Sequence, residues 1–141
     1  MKTVLTFGVF DILHIGHVLL FMRARELGDR LIVAVQHDDS ILKYKPETQI
    51  VNSIEKRLFM VESLRYVDEV VTYNDVDEDI QTIDFNLLVV GGDQNHSGFQ
   101  RAMEWCRTNG KEVVQLSRTE GISSSQMRRF MKMNTNGKKY T

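Results

Sequence analysis

Apolar residues recur along this chain with two alternating periods. Lys2 to Phe7 alternates and is rich in β-formers, which predicts a strand, whereas Val18 to Leu27 places Leu19, Leu20, Ala24 and Leu27 on one helical face. Gly28-Asp29 stops that helix, and RLIVAVQ from Arg30 to Gln36 reads as a strand buried on both faces. Asp38 to Tyr44 predicts a short helix, followed by a polar, irregular stretch to Asn52 that holds the only proline, Pro46. Ser53 is an N-cap candidate for a helix running through Leu58, Val61 and Leu64 towards Tyr66. Beyond it, Glu69 to Tyr73 predicts a strand and the acidic segment Asp75 to Thr82 a helix. Leu87 to Val90 predicts a strand ended by the tight turn Gly91-Gly92-Asp93. Phe99 to Thr108 carries Ala102, Met103 and Cys106 at helical spacing, Asn109-Gly110 stops it, Glu112 to Leu116 is a last strand, and Ser123 to Met131 a last helix. Strands alternating with helices predict a doubly wound α/β domain with a parallel sheet, expected over residues 1–133, with a frayed tail over 134–141.

Composition narrows the partners. A chain of 141 residues builds one core, and a formal net charge of −1 gives no global field for nucleic acid or an anionic membrane, so any anion site must be local. The single cysteine, Cys106, excludes an internal disulfide framework and a multi-cysteine zinc site, which fits a reducing compartment. No apolar window reaches the roughly 20 residues of a membrane span and no signal peptide is recognisable, so the chain is expected in the cytoplasm.

In doubly wound folds ligands sit at the carboxyl ends of the strands, and three clusters fall there. Gly8-Val9-Phe10-Asp11-Ile12-Leu13-His14-Ile15-Gly16-His17 joins the first strand to the first helix and sets two imidazoles three residues apart across a glycine. Side chains at i and i+3 share a helical face, and a helix N-terminus offers free N–H groups and partial positive charge, so both rings could converge on one phosphate. A helix-capping histidine beside a satisfied core histidine is the competing explanation. Gly91-Gly92-Asp93 is the second cluster. Arg118-Thr119-Glu120-Gly121-Ile122-Ser123-Ser124-Ser125, after the last strand, offers a guanidinium, a glycine and three serines to phosphate oxygens; alone it could equally be a serine N-cap behind a surface arginine.

Taken together these residues resemble the small nucleotidyltransferases of the cytidylyltransferase group. That group's signature is a glycine-started turn ending in His-x-Gly-His, with a distal Arg-Thr-x-Gly-Ile-Ser and further hydroxyl residues. The likeness extends to Gly28-Asp29 and the strand after it, the lysines near 43 to 45, Arg57, and Tyr66-Val67-Asp68-Glu69-Val70. It is strongest to bacterial members acting on glycerol 3-phosphate. The resemblance implies transfer of CMP from CTP to glycerol 3-phosphate or a related polyol phosphate. Pyrophosphate would be released and a CDP-activated precursor for a cell-surface polymer, capsule or teichoic acid, would form. His14, His17, Lys45 and Arg118 would be catalytic. Phe7, Gly8, Val9, Phe10, Asp11, Gly16, Gly92, Asp93, Arg118, Thr119, Gly121, Ile122, Ser123 and Ser124 would surround the nucleotide, and Lys43, Lys45, Arg57 and Gln94 the acceptor. Magnesium would arrive with the triphosphate, since the chain shows no dedicated protein cage for it, and a homodimer is implied. A phosphate monoester has a second pKa of about 6, so the acceptor is already ionised and needs no general base.

The sequence departs from the glycerol-3-phosphate members in two places. Val9 stands where threonine is usual, and Gln94-Asn95-His96 stands where an aromatic residue follows the aspartate, which puts acceptor choice on that segment. The glycines before Asp93 and the Gly28 to Val35 run also resemble heptose-phosphate adenylyltransferases. ATP with a sugar phosphate is therefore an alternative, and a nucleotide-binding module without turnover is a second.

Overall fold

The computed structural model describes residues 1–117. The cluster Arg118 to Ser125, the helix expected over Ser123 to Met131 and the tail lie outside the described residues. Five strands, β1 (Thr3–Gly8), β2 (Arg30–Gln36), β3 (Glu69–Tyr73), β4 (Leu87–Gly91) and β5 (Glu112–Leu116), form one parallel sheet in the order β3-β2-β1-β4-β5. Helices α1 (Ile15–Glu26), α2 (Asp38–Tyr44), α3 (Ile54–Glu62), α4 (Val76–Asp79) and α5 (Ser97–Thr108) connect them.

Alternation along each strand sorts its side chains between two cores. Leu5, Phe7, Ile32, Ala34, Leu88 and Val90 pack with Val76, Phe99, Ala102, Met103 and Cys106 of α4 and α5. Val4, Leu31, Val33, Leu87 and Val89 face the other way, onto Phe21 and Ala24 of α1 and Ile54 and Val61 of α3. Each of the Val, Leu, Ile, Phe and Met side chains among them contributes about 1.5–3 kcal/mol by leaving water. A sheet covered on both faces is why its strands read as near-continuous apolar runs.

Strand boundaries match the sequence reading within a residue, while four helices differ, α5 by beginning at Ser97 instead of Phe99. α1 begins at Ile15 instead of Val18, because histidine side chains cap its first turn. α3 stops at Glu62, where the Ser63 hydroxyl donates to the Phe59 carbonyl, and Leu64, Tyr66 and Val67 reach the core from a turn. The acidic segment splits into α4 and a 3-10 turn over Ile80–Thr82. Its start is fixed by the Asp79 carboxylate, which accepts the N–H groups of Asn74 and Asp75 at 2.6 and 3.2 Å.

Connections leave β1 in opposite directions, so the carboxyl ends of β1 and β4 form the switch point of the sheet. Gln94 spans it: its amide donates to the Phe7 carbonyl at 2.6 Å and its oxygen accepts the Gly91 N–H at 3.0 Å. On the β2 side the same edge is tied by Arg57, which is fully buried. Nε donates to the Asn52 carbonyl at 3.0 Å, Nη1 to the carbonyls of Val9 and Gln36 at 2.9 and 2.7 Å, and Nη2 to the Asp38 carboxylate. Arg57 and Gln94 were expected at the acceptor. The structure instead spends the polar atoms of both on holding strand ends together, because a buried guanidinium or amide must satisfy its hydrogen bonds inside the protein.

Replacing Arg57 with leucine would strand the Val9 and Gln36 carbonyls and the Asp38 carboxylate. Urea denaturation should show a loss of about 3 kcal/mol or more, the scale for removing one partner of a buried charge pair. A loss under about 1 kcal/mol would mean that water or another side chain replaces the guanidinium.

Candidate active site

The turn between β1 and α1 is built on an unusual backbone. Phe10 has φ +52°, in the left-handed region that costs a bulky residue about 1–3 kcal/mol. The conformation turns its ring back over Gly8, where a Cβ would lie 2.4 Å from the ring. Gly8 is thus required by the Phe10 ring itself, a reason distinct from close approach of a phosphate. The same ring packs edge-on against His17 and Phe21, with centroids 5.3 and 5.0 Å away. Phe10 and Phe7 are both buried, Phe7 edge-on to Tyr73 at 4.8 Å, so their side chains are part of the scaffold.

His14 is the N-cap of α1 and His17 its third residue, and they cap reciprocally. The His14 Nδ1 accepts the Gly16 N–H at 3.0 Å, and the His17 Nδ1 accepts the His14 N–H at 3.2 Å. The rings stack at 3.9 Å and 27°. An Nδ1 that accepts carries no proton, so each neutral ring holds its proton on Nε2 as a donor. Burial, and then repulsion from His14, lower the His17 pKa from 6.5 to about 4, with Asp93 opposing weakly from the end of β4. His17 is therefore neutral at physiological pH. No acidic residue lies in the first turn of α1, so its N-terminal field is left for an external anion. Capping and phosphate binding, posed as alternatives in the sequence, are compatible: Nδ1 serves the helix and Nε2 is left to act.

The other candidates divide. Asp11 does not present a free carboxylate: its Oδ1 accepts the Asn52 N–H at 2.7 Å and its Oδ2 the Val51 N–H at 2.8 Å. It fixes the turn, one of the roles open to it alongside reaching the nucleotide. Val9 gives its carbonyl to Arg57, and Gly16 its N–H to His14. Gly92 and Asp93 are exposed at the end of β4, on the same edge as the histidines. Lys43 and Lys45 are exposed at the end of α2, with the Lys43 Nζ 5.4 Å from the Tyr44 ring centroid. The Tyr44 hydroxyl in turn donates to Asp75. His96, in the segment credited with acceptor choice, caps α5 by accepting the Gly98 N–H at 3.1 Å. Arg118, Thr119, Gly121, Ile122, Ser123 and Ser124 lie outside the described residues. Sequence reasoning missed Asp38 and Asn52, whose partners are 19 and 41 residues away and leave no local signal.

Among the described residues no group of three or more His, Cys, Asp or Glu side chains converges to hold a metal ion, and no helix is long and apolar enough to cross a membrane.

Comparison with known proteins bears on the family and the fold. The model of the cytidylyltransferase-like family matches residues 5–130. The glycerol-3-phosphate cytidylyltransferase of Bacillus subtilis is 40% identical over 130 residues, covering 91% of this chain and 95% of that one. The bifunctional protein HldE of Citrobacter koseri is 43% identical over 132 residues, covering 89% of this chain; this chain spans only 27% of that protein's length. The crystal structure of a lipopolysaccharide core biosynthesis protein from Thermoplasma volcanium shares the fold, with TM-score 0.73 and 24% identity over 85% of this chain and 99% of that one.

His17 also makes stability pH-dependent. Its pKa is lower folded than unfolded, so between pH 6.5 and about 4 the unfolded chain binds the extra proton. The resulting penalty is absent above pH 6.5, grows as pH falls, and levels off below about 4. Urea midpoints measured from pH 7 to 4 should fall less steeply for His17→Asn, which keeps an acceptor for the His14 N–H but does not titrate. Equal slopes would mean that His17 is not held neutral by the fold.

Proposed function

The chain belongs to the cytidylyltransferase-like family, and we propose that it transfers CMP from CTP to glycerol 3-phosphate or a closely related polyol phosphate. The observation that carries this reading is the reciprocal histidine cap. It leaves two neutral Nε2–H donors at a helix N-terminus whose first turn holds no acidic residue, beside the end of β4.

In this reaction an acceptor phosphate oxygen forms a bond to the α-phosphorus as the bond to the bridging oxygen breaks, and charge moves onto departing pyrophosphate. Neutral donors held in place before the reaction stabilise that charge without needing to reorganise. The nucleophile is already ionised, so neither histidine is needed as a base, and His17, with its pKa near 4, is suited to donating from Nε2. Lys45, exposed with no partner for its ammonium among the described residues, neutralises the acceptor phosphate, with Lys43 nearby. Arg118 and the hydroxyls of Ser123 and Ser124 hold the remaining phosphates, and magnesium enters on the triphosphate. The same reading places a homodimer in the cytoplasm, making a CDP-activated precursor of a cell-surface polymer.

Identity to the HldE protein supports a second reading, ATP with a sugar phosphate. The string Arg118-Thr119-Glu120-Gly121-Ile122-Ser123 and the match along 95% of the Bacillus enzyme favour CTP.

Pyrophosphate release measured with CTP or ATP against glycerol 3-phosphate, other polyol phosphates and heptose phosphates separates the two. Product from CTP with a polyol phosphate is expected; product from ATP alone would transfer the assignment. His17→Asn should lower kcat about 10²–10³-fold, the scale for one lost transition-state donor, and unchanged turnover would remove His17 from the chemistry.

A further inference from the structure

The stretch between α2 and α3 carries Lys45 at its start and is exposed over most of its length. Its far end is not loose. The Asp11 carboxylate accepts the main-chain N–H groups of Val51 and Asn52, and the Asn52 side chain reciprocates by donating through Nδ2 to the Asp11 carbonyl at 2.6 Å. Three hydrogen bonds thus close a clasp across about 40 residues of chain, each side binding the other's backbone. Asn52 is also gripped from below, since its carbonyl accepts from the Nε of buried Arg57. Asp11 lies three residues before His14, so the clasp joins the histidine turn to the segment that begins with Lys45.

We infer that Asn52 is a positioning residue for the acceptor. It holds the Lys45 segment at a fixed offset from the two histidines, so that an acceptor phosphate taken up by Lys45 faces the phosphate bound at the turn. This rests on the transfer of a nucleotidyl group to a phosphorylated acceptor proposed above. Arg57 and the Asp11 carboxylate still bond the backbone of residues 51–52 when the Asn52 amide is removed, but hold it less firmly. The loss is therefore one hydrogen bond and some registration of the segment, and the fold survives.

The test compares Asn52→Ala, Asn52→His and Asn52→Asp with the unaltered chain. Histidine can place Nδ1–H where the amide nitrogen stood, and aspartate offers no donor. For Asn52→Ala and Asn52→Asp, KM for glycerol 3-phosphate should rise about five- to tenfold, as loss of one net hydrogen bond allows, with KM for CTP changed less than about twofold. Asn52→His should recover most of the loss. Amide exchange at Val51 and Asn52 should quicken in Asn52→Ala, a readout that needs no turnover. A merely structural role predicts a lower melting temperature and a fall in kcat with both KM values unmoved; that result, or wild-type KM values in Asn52→Ala, overturns the inference. Wild-type protein that neither binds a polyol phosphate nor releases pyrophosphate overturns the proposed function and this inference with it, whereas an active wild type with an indifferent Asn52→Ala overturns the inference alone.

Discussion

The Arg57 guanidinium is the constraint on which the working edge of the sheet depends. Four of its five N–H groups are used, on the residue after β1 through Val9, on β2 through Gln36, on the stretch before α3 through Asn52, and on the first turn of α2 through Asp38. Moving a guanidinium out of water is costly, and charge-assisted hydrogen bonds with an adjacent carboxylate offset that cost only when all are made together. The geometry is therefore cooperative: the strand ends, the helix start and the loop anchor are fixed as one unit. Gln94 does the corresponding work at the other side of β1 with neutral bonds.

On this base stands a turn whose parts serve fold and chemistry at once. The left-handed backbone at Phe10 sends its ring onto Gly8 and behind His17, and that packing helps keep His17 uncharged. Reciprocal capping consumes the two Nδ1 atoms, so the Nε2 protons follow from helix stability and not from a bound ligand. A site meant to receive a highly charged triphosphate gains twice from this arrangement. Its donors need no reorganisation, and no carboxylate in the first turn of α1 competes for the helix field.

The sequence was most legible where structure is local. Buried parallel strands announce themselves as apolar runs, and β2, β3 and β5 fall where the pattern puts them. The phosphate-directed turn was legible because glycine, two histidines at i and i+3, and a strand-to-helix junction lie within ten residues. What could not be read were side chains whose partners are distant. Arg57 on a helix looks solvated or substrate-directed until its partners, up to 48 residues away, are seen around it. Gln94 bonds to Phe7 across 87 residues, and Asn52 to Asp11 across 41. α1 started early for a related reason: histidine is not a usual cap, so its role in the first turn was invisible to propensity.

The account turns on two neutral imidazoles that donate from Nε2, and nitrogen NMR of protein labelled with ¹⁵N-histidine reads that state atom by atom. At neutral pH, His14→Asn and His17→Asn variants assign the two rings among the four histidines of the chain. The prediction is that His17 shows an unprotonated, hydrogen-bonded Nδ1 and a protonated Nε2, unchanged down to about pH 5, and that both Nε2 resonances shift when CTP is added. A His17 that carries its proton on Nδ1, or that titrates at its ordinary value near 6.5, would contradict it.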